Sequence, residues 1–170
     1  EVSANAEAYL CLNGATIYAG SPITLGKGAT LHICDCSTGE TGTITRSGSS
    51  KRALIEMDSG TKTFYFYSGT INGTHDGKSI RCVEMCGGTG TFYMYGGTIR
   101  DGQAKQGGNI LLGHGSMNMY GGCITGGTAT QATENAYGGN IRISAGNTVS
   151  IYGGEISNGL SISSGSNYCG

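Results

Sequence analysis

Residues 107–127 read GGNILLGHGSMNMYGGCITGG, and residues 138–159 read GGNIRISAGNTVSIYGGEISNG. The two phrases share glycine pairs and alternating apolar residues, while the residues between them drift. Working outward, the phrase recurs along the chain as LCLNGATI ending at Ile17, TGTI at Ile44, FYFYSGTI at Ile71, FYMYGGTI at Ile99, MNMYGGCI at Ile124 and VSIYGGEI at Ile156. Successive isoleucines lie 27, 27, 28, 25 and 32 residues apart. A constant phrase at variable spacing confines insertions to loops. The 33 glycines therefore belong to a repeat architecture and not to a low-complexity tract.

Each repeat holds three apolar runs. The first contains Ile23/Leu25, Ile55/Met57, Val83/Met85, Ile110/Leu112 and Ile141/Ile143. The second contains Leu10/Leu12, Leu31/Ile33, Phe64/Phe66, Phe92/Met94, Met117/Met119 and Val149/Ile151. The third is the single isoleucine that closes each phrase. Apolar residues at i and i+2 have the period of a strand with one buried face, and the glycines between runs allow the positive φ of tight corners. Helix-period stretches and helix caps are missing. Three short strands per repeat cannot bury their apolar edge alone, but coils stacked in register can. The expected fold is all-β: a single-stranded parallel β-helix, or β-solenoid, of about six coils with three strands each. One domain spans 1–170, with N-terminal coils over 8–50 interrupted by an insertion at 34–42, regular coils over 51–159 and an incomplete coil at 160–170.

The net charge of -1 removes the usual electrostatic reason for a nucleic-acid or anionic-membrane partner. No apolar run approaches the roughly 18–20 residues of a membrane span. The opening EVSANAEAYL carries neither an initiator methionine nor a signal peptide, which reads as a mature product or a piece of a longer chain. Seven cysteines favour an oxidising, extracellular setting, secreted or at a cell surface, and their odd number leaves at least one thiol free or paired with another chain.

With YLCLNGATI, ATLHICDCSTGETGTI and the MYGGTI and GGNI coils laid out, the chain resembles the glycine-rich β-helix repeats of surface and secreted proteins from gut Gram-positive bacteria. The resemblance covers nearly the whole chain. It implies the right-handed parallel β-helix shared with pectate lyases and polymorphic surface adhesins, and a role as scaffold or adhesive stalk.

Candidate chemistry is sparse, and no cofactor is expected. Polysaccharide-cleaving enzymes need clustered carboxylates. Here Glu56 and Glu84 fall on adjacent first strands, about 5 Å apart, with Arg81 or Lys51 nearby. They read either as a retaining catalytic pair or as two solvated acids, with Leu111 and Arg142 next in their column. His32, Cys34 and Cys36 share a parity, and Cys11 aligns with His32 one rung below. That set reads as a disulfide from Cys11 to Cys34 or Cys36, with a zinc site as the alternative. Cys82 and Cys86 could meet only across a turn, Cys123 has no obvious partner, and Cys169 lies near the C-terminus.

Tyr67, Tyr95, Tyr120 and Tyr152 form one column, with Asn13 in the first coil. Such a column either stabilises a corner by stacking or offers sugars or a protein an aromatic strip. Solenoid ends are exposed strand edges. One end would present Tyr9, Leu10 and Leu12, and the other Leu160, Ile162 and Tyr168, with Leu160 and Ile162 beginning a further first strand. The 14 residues after Ile156 and the 17 up to Ile17 together make a length inside the repeat range. Copies could therefore stack head to tail in phase, with Cys169 near Cys11 of the next copy. The leading expectation is a non-catalytic structural or adhesive solenoid whose partners are itself, the rest of a longer repeat protein, or a host glycan or protein. The alternative is a carbohydrate-binding or polysaccharide-cleaving β-helix.

Overall fold

The computed structural model describes residues 1–47, 52–57, 59–131, 135–163 and 167–168, the last pair by backbone alone. Three parallel sheets run its length. The second runs form one sheet in the order Glu7–Cys11, Thr30–Cys34, Thr63–Phe66, Thr91–Met94, Ser116–Met119 and Thr148–Ile151. The third runs form another, from Thr16–Ala19 through Thr43–Arg46, Thr70–Asn72, Thr98–Arg100 and Cys123–Thr125 to Glu155–Ser157. The first runs form the third sheet: Ile23–Thr24, Ile55–Met57, Val83–Met85, Ile110–Leu112 and Ile141–Ile143. Each coil supplies one strand to each sheet, so the chain is an all-β parallel β-solenoid of five to six coils. No helix among the described residues is long and apolar enough to cross a membrane.

Register explains the sequence period. Ile44, Ile71, Ile99 and Ile124 stack as direct neighbours, each fully buried. Leu31, Phe64, Phe92 and Met117 form a second inward column, and Ile33, Phe66, Met94 and Met119 a third. The widest side chains, Phe64, Phe66 and Phe92, sit in the middle coils, where neighbours cover them on both sides.

The YGG corner needs both of its glycines, for different reasons. A Cβ at Gly96 would lie 2.4 Å from the Tyr67 carbonyl, and one at Gly121 2.6 Å from that of Tyr95, one rung below. Close approach excludes any side chain there. The second glycines, Gly97, Gly122 and Gly154, turn the chain at φ values of 73°, 88° and 94°, where only glycine is unstrained.

The asparagine of the GGN phrase also points inward. Asn109 and Asn140 are buried and stacked, with Asn109 Nδ2 donating to Asn140 Oδ1 at 2.9 Å. Asn109 also donates to the Thr125 carbonyl and accepts from the Gly102 amide, each at 2.8 Å. Asn140 repeats the pattern with the Ser157 carbonyl at 2.7 Å and the Gly127 amide at 2.9 Å. These side chains satisfy backbone groups that the corner removes from the sheets.

Three features depart from three strands per coil, one of them a short parallel pair of Ala136–Tyr137 with Asn167–Tyr168. A fourth run pairs Gln103–Ala104, Thr128–Gln131 and Leu160–Ser163 in a separate parallel sheet. Leu160 and Ile162 therefore stack on Thr128 and Thr130, and do not begin a new first strand. Between Asn72 and Ile80 a short antiparallel hairpin joins Thr74–His75 to Lys78–Ser79.

Candidate functional site

The outward face of the second-run sheet carries two columns of aromatic rings. In the first, Tyr9 stacks on His32 with centroids 4.2 Å apart, His32 on Tyr65 at 4.6 Å, and Tyr65 on Tyr93 at 5.0 Å. In the second, Tyr67 stacks on Tyr95 at 5.4 Å, Tyr95 on Tyr120 at 5.0 Å, and Tyr120 on Tyr152 at 4.9 Å. Cross contacts of 6.1 Å between Tyr65 and Tyr67 and 6.5 Å between Tyr93 and Tyr95 join the columns. These separations match the spacing of hydrogen-bonded strands, so the rings follow the backbone ladder. Each ring covers its neighbour's face, and the edges and phenol hydroxyls meet solvent.

Tyr95, Tyr120 and Tyr152 are 46%, 45% and 67% exposed, and their hydroxyls carry no hydrogen bond among the described residues. Partial burial, then the charge of neighbouring phenols, raises the pKa of Tyr65, Tyr67 and Tyr120. These hydroxyls therefore remain donors at neutral pH. At the N-terminal end, Glu7 accepts from the Tyr9 hydroxyl at 2.8 Å and faces His32 Nε2 at 2.9 Å. Those two contacts, the Tyr9 bond first, hold its pKa below the ordinary glutamate value. Tyr67 lies 3.1 Å from His32 Nδ1. The neutral tautomer that satisfies both partners carries its proton on Nε2 and accepts the Tyr67 hydroxyl at Nδ1.

The register corrects two expected alignments. Tyr9 pairs with His32 and Cys11 with Cys34, so His32 stands in the aromatic column and not among the thiols. Asn13 is not in the tyrosine column. Cys11 and Cys34 occupy its first two rungs, since Cys34 follows Ile33 as Tyr67 follows Phe66. The cause is a two-residue excess: seven positions separate Leu10 from Ile17, against five between Phe66 and Ile71. Asn13 and Gly14, with φ of 48° and 75°, absorb the extra length in a turn.

Glu56 and Glu84 are direct neighbours on adjacent rungs, followed by Leu111 and Arg142. They are not two solvated acids, because Glu56 is only 5% exposed. Arg52 holds it, with Nε 3.0 Å from Oε1 and Nη2 2.5 Å from Oε2. Burial, outweighing that pairing, raises its pKa. Arg81 pairs with Glu84 and donates to the carbonyls of Gln106 and Gly107 at 2.7 and 3.1 Å. A groove of about 500 Å³ is lined by Asn72, Thr74, Arg100, Asp101 and Thr128, and a second of about 450 Å³ by Ile80, Arg81, Gln103 and Lys105. Neither carboxylate lines either groove. Lys51 lies outside the described residues.

Cys11 is bridged to Cys36 across a Cα separation of 6.2 Å, and the sulfurs of Cys11, Cys34 and Cys36 lie within 4.8 Å of one another. Cys82 and Cys86 are both free. Cys82 is fully buried at a corner below Asn109, whereas Cys86 is exposed at the far end of the strand and bonded to Glu84. Burial raises the pKa of Cys82, and burial together with Glu84 pushes Cys86 up to about 12. Cys123 is free between Thr98 and Glu155. Cys169 and the Tyr168 side chain lie outside the described residues.

Of the expected end residues, Tyr9 is 73% exposed and Leu10 partly buried, but Leu12 is 3% exposed. Leu12 packs beneath the corner glycines Gly42 and Gly69, a consequence of the same two-residue excess. Leu160 and Ile162 are 51% and 48% exposed. No protein-family model matches the chain, and comparison with curated proteins and with solved structures found no match.

Proposed function

We propose that this protein is a non-catalytic structural and adhesive β-solenoid, secreted or held at a cell surface, whose adhesive surface is the tyrosine face. The continuous ladder from Tyr9 to Tyr152 carries this reading. Stacking keeps the rings on edge, so a ligand meets a row of phenol hydroxyls repeating about every 5 Å and not a set of open ring faces. An extended glycan lying along the solenoid axis, with hydroxyls of its own at a regular repeat, is the partner this surface suits. The near-neutral charge of the chain supports an uncharged partner. The non-catalytic part of the reading is supported by the arginine held against each of Glu56 and Glu84. The resemblance to surface repeat proteins supports the location and a right-handed coil.

The test is a glycan array probed with the native chain and with the Tyr95→Phe/Tyr120→Phe variant, which keeps the stack and removes two hydroxyls. Binding to a neutral polysaccharide, weakened about tenfold or more in the variant, is the expected result. An array that stays silent, or a variant that binds equally, rejects the tyrosine face as a glycan site.

A second reading concerns the end near Leu160. Ile143, Ile151 and Ile156 are 42%, 56% and 36% exposed there, whereas their register partners one rung earlier, Leu112, Met119 and Ile124, are fully buried. We propose that a further coil covers this rung, contributed by a second copy stacked head to tail or by the rest of a longer repeat protein. Negative-stain electron microscopy of the 170-residue chain distinguishes the two. Filaments one solenoid wide are expected for stacked copies, and only short rods would reject self-assembly.

A further inference from the structure

The cysteines at the edge of the aromatic face take part in neither the tyrosine stack nor the core. Cys11 and Cys34 are register partners on adjacent rungs, and Cys36 reaches back to bridge Cys11. Cys34 Sγ lies 3.8 Å from Cys36 Sγ. Neighbouring strands stand about 4.7–4.9 Å apart, so a Cys11–Cys34 bond also falls within disulfide range. Cys11 thus has two partners within reach on one rung.

The segment that carries them is locked. Asp35, between the two cysteines, is buried. Its carboxylate accepts from the amides of Gly14, Ser37 and Gly42 at 2.8, 3.1 and 2.5 Å, and from the Ser37 hydroxyl at 3.0 Å. Burial would raise its pKa, but these donors together hold it below the ordinary aspartate value. Cys36 is held over Cys11 without the backbone having to move. Cys11 and Cys36 are exposed and Cys34 half-buried, so the group is open to solvent.

We propose that Cys11, Cys34 and Cys36 form a thiol–disulfide exchange centre, in which Cys34 and Cys36 alternate as the partner of Cys11 and the loose thiol captures disulfides from other molecules. In the internal step Cys34 releases its proton to solvent and its thiolate attacks Cys11 Sγ. The Cys11–Cys36 bond breaks, and Cys36 leaves with the electron pair and takes up a proton. One disulfide and one thiol remain, so no external oxidant or reductant is needed. In the external step the loose thiolate attacks a disulfide R–S–S–R. It keeps one half as a mixed disulfide and releases the other as R–S⁻, which is then protonated. The remaining free thiols compete poorly: Cys82 is fully buried, and partial desolvation beside the carboxylates of Glu84 and Glu155 favours the protonated forms of Cys86 and Cys123. The inference rests on this cluster alone and is independent of the adhesive reading.

The test treats the native chain at pH 8 with oxidised glutathione, then with N-ethylmaleimide, before cleavage after Lys27 and Arg46 and fragment mass spectrometry. Without glutathione, maleimide is expected on both Cys34 and Cys36. With it, mixed disulfide accumulates in residues 28–46 and falls about tenfold or more in Cys34→Ser, where Cys36 stays bound to Cys11. Maleimide confined to Cys34 in the native chain, or capture undiminished in Cys34→Ser, overturns the proposal. The native labelling pattern decides the matter even if the variant fails to fold.

Discussion

Replacing Phe92 by alanine should lower the unfolding free energy by about 3–5 kcal/mol, the largest loss expected from a single core truncation. The ring is fully buried and lies 4.8 Å from that of Phe64, with Met117 on the rung above. Its removal leaves a cavity that neither neighbour can fill, because both backbones are fixed in register. Urea denaturation of Phe92→Ala beside Ile151→Ala measures this. Ile151 also faces inward but is 56% exposed, and its truncation should cost under about 1 kcal/mol. Equal losses at the two positions would mean that stability is not set by coverage from both sides.

Asn109→Leu is the second large effect. A leucine of similar size strands the Gly102 amide, which the Asn109 side chain now satisfies, while the Thr125 carbonyl keeps the Asp101 amide at 3.1 Å. An unsatisfied buried backbone group costs about 1–3 kcal/mol, so a loss of about 1–3 kcal/mol is expected in the same denaturation experiment. Amide exchange should also speed up at Gly102, well beyond the change at distant corners. A neutral result would show that the inward asparagine serves only to fill space.

The fold was legible because its signal is repeated. Isoleucine at Ile44, Ile71, Ile99 and Ile124 and the doubled glycines recur wherever one coil touches the next. Packing between rungs selects the same residue at the same phase each time. The parts that escaped lack such repetition. The period places Leu10/Leu12 beside Leu31/Ile33, whereas Ala8 and Leu10 stand there, because the first corner is two residues longer and the small Ala8 hides the true start of the strand. The fourth run keeps only small residues in its Ala104, Ala129 and Ser161 column, and the one apolar pair in it, Leu160 and Ile162, sits on Thr128 and Thr130 and so mimics a first strand.

Legibility was also uneven within the candidate site. The column from Tyr67 to Tyr152 could be read because it keeps one residue type. The column of Tyr9, His32, Tyr65 and Tyr93 changes type and ends in Asn118 and Ser150, so only the register reveals it. The burial of Glu56 follows from Arg52 folding over it, a side-chain event with no period. The asparagines of GGN were visible as part of a phrase, but polar residues usually face solvent, and only the corner's unpaired amides explain why these two turn inward.

Parallel register along all three sheets gives the molecule a mechanical direction. The backbone hydrogen bonds between coils point along the solenoid, so a pull on the two ends loads the rungs in series and opens them one after another. Beyond the first coil, which the Cys11–Cys36 bridge closes, each released coil frees 25–32 residues, or roughly 80–115 Å of chain at about 3.3–3.6 Å per residue. A tether built this way lengthens in steps under load, and each coil that peels away leaves the remaining stack intact.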